Sequence, residues 1–190
     1  MAPILGIFAS ANQGQFISYP AFESIATVTA SGSSSTITFS SIPQTYQHLQ
    51  IRGISKSPNG GPALVIQYNG DSSVNYKSHY LEGNGNSTTA YAGVGGTNTY
   101  GYLGYPTPGS ANSSMFSTSI IDILDYTNTN KYKTTRSLSG YDTNSTVDQY
   151  LDLFSNLWMS TSAITSITLS IQSELFVANS QFALYGIKGN

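Results

Sequence analysis

Short segments in which apolar and polar residues alternate recur from residue 22 to the C terminus. Residues 164–171 alternate cleanly, and residues 35–42 alternate through Ile37 and Phe39. A repeat of two residues is typical of β-strands, because successive side chains point to opposite faces of a sheet. No stretch combines a helical repeat with a capping signal and a sufficient length. The chain is therefore predicted to be all-β, with about nine or ten strands in a single antiparallel β-sandwich of jelly-roll-like type.

One hairpin is predicted to lie at the centre of this sandwich. Its first arm, residues 116–126, contains no Gly or Pro and carries apolar side chains at both even and odd positions, so we expect a central strand covered on both faces. A polar turn at residues 127–130 leads into a polar return arm. The hairpin concentrates five charged side chains, namely Asp122, Asp125, Lys131, Lys133 and Arg136. We expect a solvated hairpin with surface ion pairs, and a functional charge site is the alternative.

A second hairpin is predicted at Asn69-Gly70, a strong two-residue turn signal between residues 63–68 and 74–81. The last segment, residues 181–188, is almost wholly apolar and is expected to be an interior strand. The alternation predicts that the core contains Ile37, Phe39, Ile51, Ile121, Ile123, Ile167, Leu169, Phe182 and Leu184.

The composition excludes several classes of function. Charged residues make up only 8% of the 190 residues, against roughly 25% in a typical soluble domain. The net charge of −2 and the lack of any basic run argue against nucleic acid and anionic membranes as partners. No apolar run approaches the roughly 18–20 residues that span a bilayer, so membrane insertion is not expected. The chain has no Cys, which excludes disulfides and thiolate metal sites.

No catalytic constellation is visible, so we expect a protein that is not an enzyme and needs no cofactor. Neither G-x-S-x-G nor H-E-x-x-H occurs, and the carboxylates are scattered. His48 and His79 are each expected to be half-buried strand residues. Residues 142–148 alternate oxygen-bearing side chains as a calcium loop does, but Val147 occupies the position of its Gly and Leu153 that of its acidic residue. Turn formation is favoured over calcium binding there.

Two segments are candidates for contacts with partners. Residues 1–20 are predicted to be an N-terminal arm preceding a domain at residues 21–190, and their apolar side chains Ile4, Leu5, Ile7 and Phe8 are expected to anchor the chain on a partner by strand addition. The alternative is that this run belongs to the domain's own sheet. Residues 83–114 are predicted to be a long Gly- and Tyr-rich loop. It carries Tyr91, Tyr100, Tyr102 and Tyr105, whose flat rings with polar tips suit contact with a glycan or a neighbouring protein.

Three stretches of the sequence resemble a group of small tailed-phage virion structural proteins. They are MAPILGIFAS at the start, SSIPQTYQHLQIRG at residues 40–53, and IIDILDYTNTNKYKT at residues 120–134 leading to QFALYGIKGN at the end. The resemblance implies a structural role on the exterior of the virion tail or head, with other virion proteins as partners. A tail-associated fibre or tip module is preferred; a capsid decoration protein and a non-viral carbohydrate-binding module are the alternatives. Homo-oligomers are the default for such parts, and a trimer would suit a fibre tip.

Overall fold

A computed structural model of the protein describes residues 21–91, 98–144 and 149–189, and within these ranges it contains strands and no helix. The twelve strands are β1 (Phe22–Thr29), β2 (Thr36–Phe39), β3 (His48–Ser55), β4 (Leu64–Tyr68), β5 (Tyr76–Gly83), β6 (Thr88–Tyr91), β7 (Gly101–Gly104), β8 (Ser117–Ile123), β9 (Lys133–Tyr141), β10 (Tyr150–Trp158), β11 (Ile167–Ile171) and β12 (Gln181–Ile187). The predicted all-β class is confirmed. Two of these strands, β6 and β7, lie within residues 83–114, where the sequence predicts only a loop.

The strands form two antiparallel sheets packed as a sandwich. The larger sheet has the order β1-β12-β3-β8-β9-β10-β5-β6, and the smaller has the order β2-β11-β4-β7. Apolar side chains of both sheets meet in one buried cluster, which includes Ile37 of β2, Ile51 of β3, Ile66 of β4 and Leu184 of β12. The β-sandwich is therefore confirmed, whereas the jelly-roll connectivity stays a prediction.

The predicted central hairpin is present, but only one of its faces is covered. β8 pairs with β3 on one side and with β9 on the other, so it lies in the middle of the larger sheet. Its inward side chains Ile121 and Ile123 are fully buried. On the opposite face Ile120 and, just after the strand, Leu124 are each 45% exposed. The expectation of cover on both faces is wrong, because the smaller sheet packs against one face of the larger sheet only.

The predicted core is confirmed in full, since all nine of its side chains are buried. The C-terminal strand β12 lies between β1 and β3 and is an interior strand, as predicted. Its Phe182 ring packs edge-on to Phe176 with 5.8 Å between ring centroids. At Gly53 on the neighbouring strand, a Cβ atom would lie only 2.1 Å from Phe182 Cδ1, so the ring occupies the space that the glycine leaves.

The return arm of the hairpin differs most from its prediction. Its ion pairs do lie at the surface, joining Arg136 Nη2 to Asp122 Oδ2 at 3.2 Å and Lys131 Nζ to Asp125 Oδ2 at 3.0 Å. Lys133, however, is fully buried, and its Nζ donates to the backbone carbonyls of Asn128, Lys131 and Thr161. Three carbonyl dipoles replace the water around this ammonium group. Burial lowers the pKa of Lys133.

The other polar side chains on the inward face of β9 serve to join the two sheets. β7 is an edge strand of the smaller sheet, and small polar groups of the larger sheet satisfy its backbone. Ser137 Oγ donates to the carbonyl of Leu103 at 2.8 Å, and Asn156 Nδ2 donates to that of Tyr102 at 2.7 Å. The backbones can approach because β7 carries glycine at this contact: a Cβ atom on Gly104 would collide with Ser139. The polar side chains on the inward face of the larger sheet therefore satisfy the backbone carbonyls of the edge strand β7.

The hairpin predicted at Asn69-Gly70 is wrong. The turn forms with positive φ at both residues, 54° and 68°, as the signal predicts. The flanking strands β4 and β5 nevertheless belong to different sheets, so the turn is a crossing between sheets. Contacts to the segment before β11 hold it there: Asn69 Nδ2 donates to the Ala163 carbonyl, and Asn69 Oδ1 accepts from the N–H groups of Thr165 and Ser166.

Candidate functional site

Three of the four tyrosines predicted as a contact surface, Tyr91, Tyr100 and Tyr102, are joined through the rings of Tyr80 and Phe154. Tyr91 is exposed on β6 and stacks on Tyr80, with 5.7 Å between ring centroids. Tyr100 and Tyr102 pack edge to face at 5.3 Å, and Tyr100 lies beside the smaller sheet, where Gln172 Nε2 donates to its hydroxyl. Tyr105 lies apart from these three and contacts Tyr150 at 5.0 Å. Tyr105 lines a cavity that it shares with Tyr80, the stacking partner of Tyr91.

That cavity, which we call the tyrosine cup, has a volume of about 380 Å³ and opens at the end of the sandwich where β5, β9 and β10 meet the loops after β3 and β7. The rings of Tyr80, Tyr105, Tyr141 and Tyr150 line it, together with Glu82 and the segment Asn59-Gly60-Gly61. The strands fix these side chains, because Tyr80 and Glu82 are two residues apart on β5 and share its inward face.

A buried carboxyl group, that of Asp152, lies beside the cup. Asp152 of β10 is fully buried and is the cross-strand partner of Glu82. It accepts a hydrogen bond from the backbone N–H of Tyr105, and Ser139 Oγ lies 3.5 Å from its Oδ2. Its Oδ1 has no hydrogen-bond partner among the described residues. Burial, and then the charge of Glu82, raise the pKa of Asp152 to about 7. Burial also raises the pKa of Glu82.

The buried carboxyl group predicts an unusual dependence of stability on pH. The pKa of Asp152 is higher in the folded chain than its ordinary value of 3.8, so the folded state binds the proton more tightly than the unfolded state does. Its contribution to the free energy of unfolding is greatest below about pH 4, falls as the pH rises through 7, and stays low above that. Asp152→Asn cannot ionise. We expect it to be more stable than the wild type at pH 8, by on the order of 2–4 kcal/mol.

Urea denaturation at pH 5, 6, 7 and 8 measures this difference. The advantage of Asp152→Asn should grow over that range. Asp122→Asn, which changes a carboxylate of a surface ion pair on β8, two strands away from β10, should show no such gain. An advantage of Asp152→Asn that is equal at all four values of pH would contradict the predicted ionisation.

A second feature lies on the opposite face of the larger sheet, which the smaller sheet leaves uncovered. Ile120, Leu138, Leu153, Leu81 and Ala90 are successive cross-strand partners on β8, β9, β10, β5 and β6. We call this set the apolar row. Its four large side chains are between 40% and 56% exposed. Four strand spacings make the row about 19 Å wide. Contiguous exposed apolar side chains are typical of interaction surfaces.

The apolar row is bordered on one side by charge and on the other by a groove. The Asp122–Arg136 ion pair lies on the same face, two residues along β8 and β9 from Ile120 and Leu138. The exposed His79 lies at the same level on β5. On the other side Gly83 and Gly140 are the two partners of Leu151, and their lack of side chains leaves a groove of about 600 Å³. The arrangement is that of an apolar centre with a polar rim, which is typical of protein interfaces.

The other residues singled out in the sequence are the N-terminal anchor residues, the calcium-like segment and the two histidines. The anchor residues Ile4, Leu5, Ile7 and Phe8 lie outside the described residues. Asp142 and Asn144 are exposed, and Asn144 N–H donates to Asp142 Oδ1 at 2.7 Å, which is a turn-forming contact. Residues 145–148 of the calcium-like segment lie outside the described residues. His48 is half-buried and its Nδ1 accepts from Asp125 N–H at 3.0 Å, whereas His79 is exposed, contrary to its prediction.

No group of three or more His, Cys, Asp or Glu side chains in the described residues is arranged to hold a metal ion. The described residues also contain no helix with the length and apolar character needed to cross a bilayer.

Sequence reasoning misses the most enclosed part of the site. Tyr80, Tyr141, Tyr150, Glu82 and Asp152 all lie outside the segment that composition singles out, or at its margin. A signal is present in the spacing, since Tyr80 with Glu82 and Tyr150 with Asp152 are two aromatic–acid pairs at i and i+2. Pairing of β5 with β10 brings these two pairs together.

The described residues thus form a two-sheet β-sandwich with a tyrosine-lined cavity and an apolar face that the smaller sheet leaves uncovered. No family model matches the chain, and no curated protein sequence matches it. Among solved structures, the chain has a weak likeness to the crystal structure of a protein of unknown function from Shewanella oneidensis MR-1. The two are 9% identical with a TM-score of 0.25, over 89% of this chain and 77% of that one. A likeness at this level carries no argument about function.

Proposed function

We propose that the protein is a non-enzymatic structural subunit of a phage virion, and that it assembles by packing the uncovered face of its larger sheet against another copy of itself. The observation that carries the assembly role is the apolar row. The virion setting is supported by the sequence resemblance, in which a tail-associated fibre or tip module is preferred over a capsid decoration protein. The resembling stretches are packing and turn segments, which suits a structural role.

The chemistry of the face favours a second copy as its occupant. The apolar row carries no charge, so that pairing it with itself desolvates no ionised group at the centre. Its rim carries both signs, Asp122 and Arg136, and across a two-fold axis the acidic group of one copy can face the basic group of the other. A self-complementary patch of this kind is what an isologous interface requires. A trimer, which the resemblance favours for a fibre tip, would instead need a heterologous contact in which this face meets a different surface of the next copy.

Charge on the apolar row tests the assembly role. In the variant Leu138→Lys with Leu153→Lys, two ammonium groups would have to be buried when copies associate, and we expect the dissociation constant to rise at least about a hundredfold. Both side chains point outward, so the fold should survive. Sedimentation velocity over a range of concentrations measures the molecular mass and distinguishes a dimer from a trimer.

Leu175→Lys is the matched control, because Leu175 is an equally exposed leucine that lies beside the smaller sheet. It should leave association unchanged. A wild-type chain that remains monomeric at about 100 μM, or a doubly charged variant that associates like the wild type, would contradict the proposal.

A further inference from the structure

We propose that the tyrosine cup binds a neutral pyranose unit of a glycan, with the rings of Tyr105 and Tyr150 as its stacking platform and Glu82 as its hydroxyl acceptor. This inference goes beyond the assembly role and does not depend on it. The cup has about 380 Å³ of space, which is within the range of small-molecule sites.

Three aromatic rings at the cup contact one another in sequence, with a tilt of 40° between the planes of Tyr105 and Tyr150 and of 55° between those of Tyr150 and Tyr141. The centroids of Tyr105 and Tyr150 are 5.0 Å apart, and those of Tyr150 and Tyr141 are 5.7 Å apart. All three side chains are half-buried, so their rings are held in place while part of each stays accessible. The apolar C–H face of a pyranose packs on such rings, and the phenol hydroxyls can hydrogen-bond its edge.

Polar groups also line the cup and can hydrogen-bond the hydroxyls of a sugar. Glu82 is half-buried and offers a carboxylate as an acceptor, and Asn59 offers an amide that both donates and accepts. Gly60 and Gly61 have φ of +102° and +95°, which side-chain-bearing residues rarely adopt. A Cβ atom on Gly61 would meet nothing within 4 Å, so the backbone there is open to an approaching ligand.

The electrostatics of the cup select a neutral ligand. No Lys, Arg or His is among the described residues that line it, whereas Glu82 lines it and Asp152 lies directly beside Glu82. An anionic sugar or a phosphate would meet repulsion with nothing to offset it. An ammonium ligand is the other chemistry that aromatic rings and a carboxylate can hold. Several neighbouring tyrosine rings, with amide and hydroxyl groups beside them, fit the broad polyhydroxylated ring of a sugar better than a compact cation.

Titration with three simple sugars tests the inference. Saturation-transfer NMR with the methyl glycosides of glucose, galactose and N-acetylglucosamine should show contact to the ring C–H protons of at least one of them. That sugar should bind saturably with a dissociation constant in the range of about 1–10 mM. Tyr105→Ala should weaken binding at least about tenfold, Tyr105→Phe by less than about threefold, and Glu82→Gln by about fivefold.

Tyr132→Ala is the matched control, because Tyr132 is an exposed tyrosine at the start of β9, away from the cup, and its removal should leave binding unchanged. Melting curves confirm that each variant is folded; if Tyr105→Ala does not fold, Glu82→Gln decides alone. Three results would overturn the inference: no saturable binding of any of the three glycosides up to about 50 mM, binding that Glu82→Gln leaves at the wild-type level, or saturation by tetramethylammonium where no sugar binds.

Discussion

Replacing Phe182 by Ala should lower the free energy of unfolding by about 3–5 kcal/mol. Phe182 is fully buried on the C-terminal strand β12, which pairs with β1 and β3 on its two sides. Its ring contacts Phe176 and fills the space above Gly53, so the smaller side chain would leave a cavity. The Gly53 backbone cannot easily close that cavity, because β3 is held between β12 and β8.

Urea denaturation measures this loss, and Phe22→Ala provides its control. Phe22 lies on the neighbouring strand β1, is largely exposed, and makes its aromatic contact with the guanidinium group of Arg52, 5.5 Å from the ring centroid. Its replacement should cost less than about 1 kcal/mol. A loss below about 1 kcal/mol for Phe182→Ala as well would show that the C-terminal strand contributes little to the core.

The core could be predicted from the sequence because alternation identifies the side chains that share one face of a strand. It cannot say which of two apolar faces is covered, and this is where the prediction for β8 fails. Ile120 and Ile121 are chemically equivalent in the sequence, yet Ile120 is exposed and Ile121 is buried. The difference arises from the smaller sheet, whose strands are distant in the chain. The exposed apolar row is therefore visible only in the structure.

The prediction for the return arm of the hairpin, β9, is wrong because its inward-facing side chains are polar and yet buried. Lys133, Ser137 and Ser139 read as solvent-facing residues, because charged and hydroxyl groups are usually exposed. Here their partners are backbone groups: carbonyls of two loops for Lys133, and the Leu103 carbonyl of β7 for Ser137. A strand sequence carries no record of which distant backbone it will satisfy. The tyrosine cup could not be predicted either, because three of its four rings, those of Tyr80, Tyr141 and Tyr150, lie outside residues 83–114.

The last prediction concerns the N-terminal arm, residues 1–20, which lies outside the described part of the chain. Ile4, Leu5, Ile7 and Phe8 would contribute roughly 1.5–3 kcal/mol each when buried, before ordering costs of about 1–2 kcal/mol per residue. A peptide of about eight residues thus roughly breaks even by burial alone. It needs backbone hydrogen bonds to a sheet edge, or repetition in an oligomer, to bind firmly. Among the described strands, β1 and β6 are the edges of the larger sheet.

Deleting residues 1–10 should therefore leave the β-domain folded and abolish its incorporation into the virion. The melting temperature should hardly change, because the buried apolar side chains of the described residues all lie between Ala30 and Leu184. Incorporation should be lost, because the arm is predicted to anchor the chain by adding a strand to a partner's sheet edge. Quantitative immunoblotting of purified particles measures copy number, and replacing Ser10 by Ala in the full-length chain is the control. Truncated protein at normal copy number would refute the anchor, and a large fall in melting temperature would mean that these residues form a strand of the domain's own sheet.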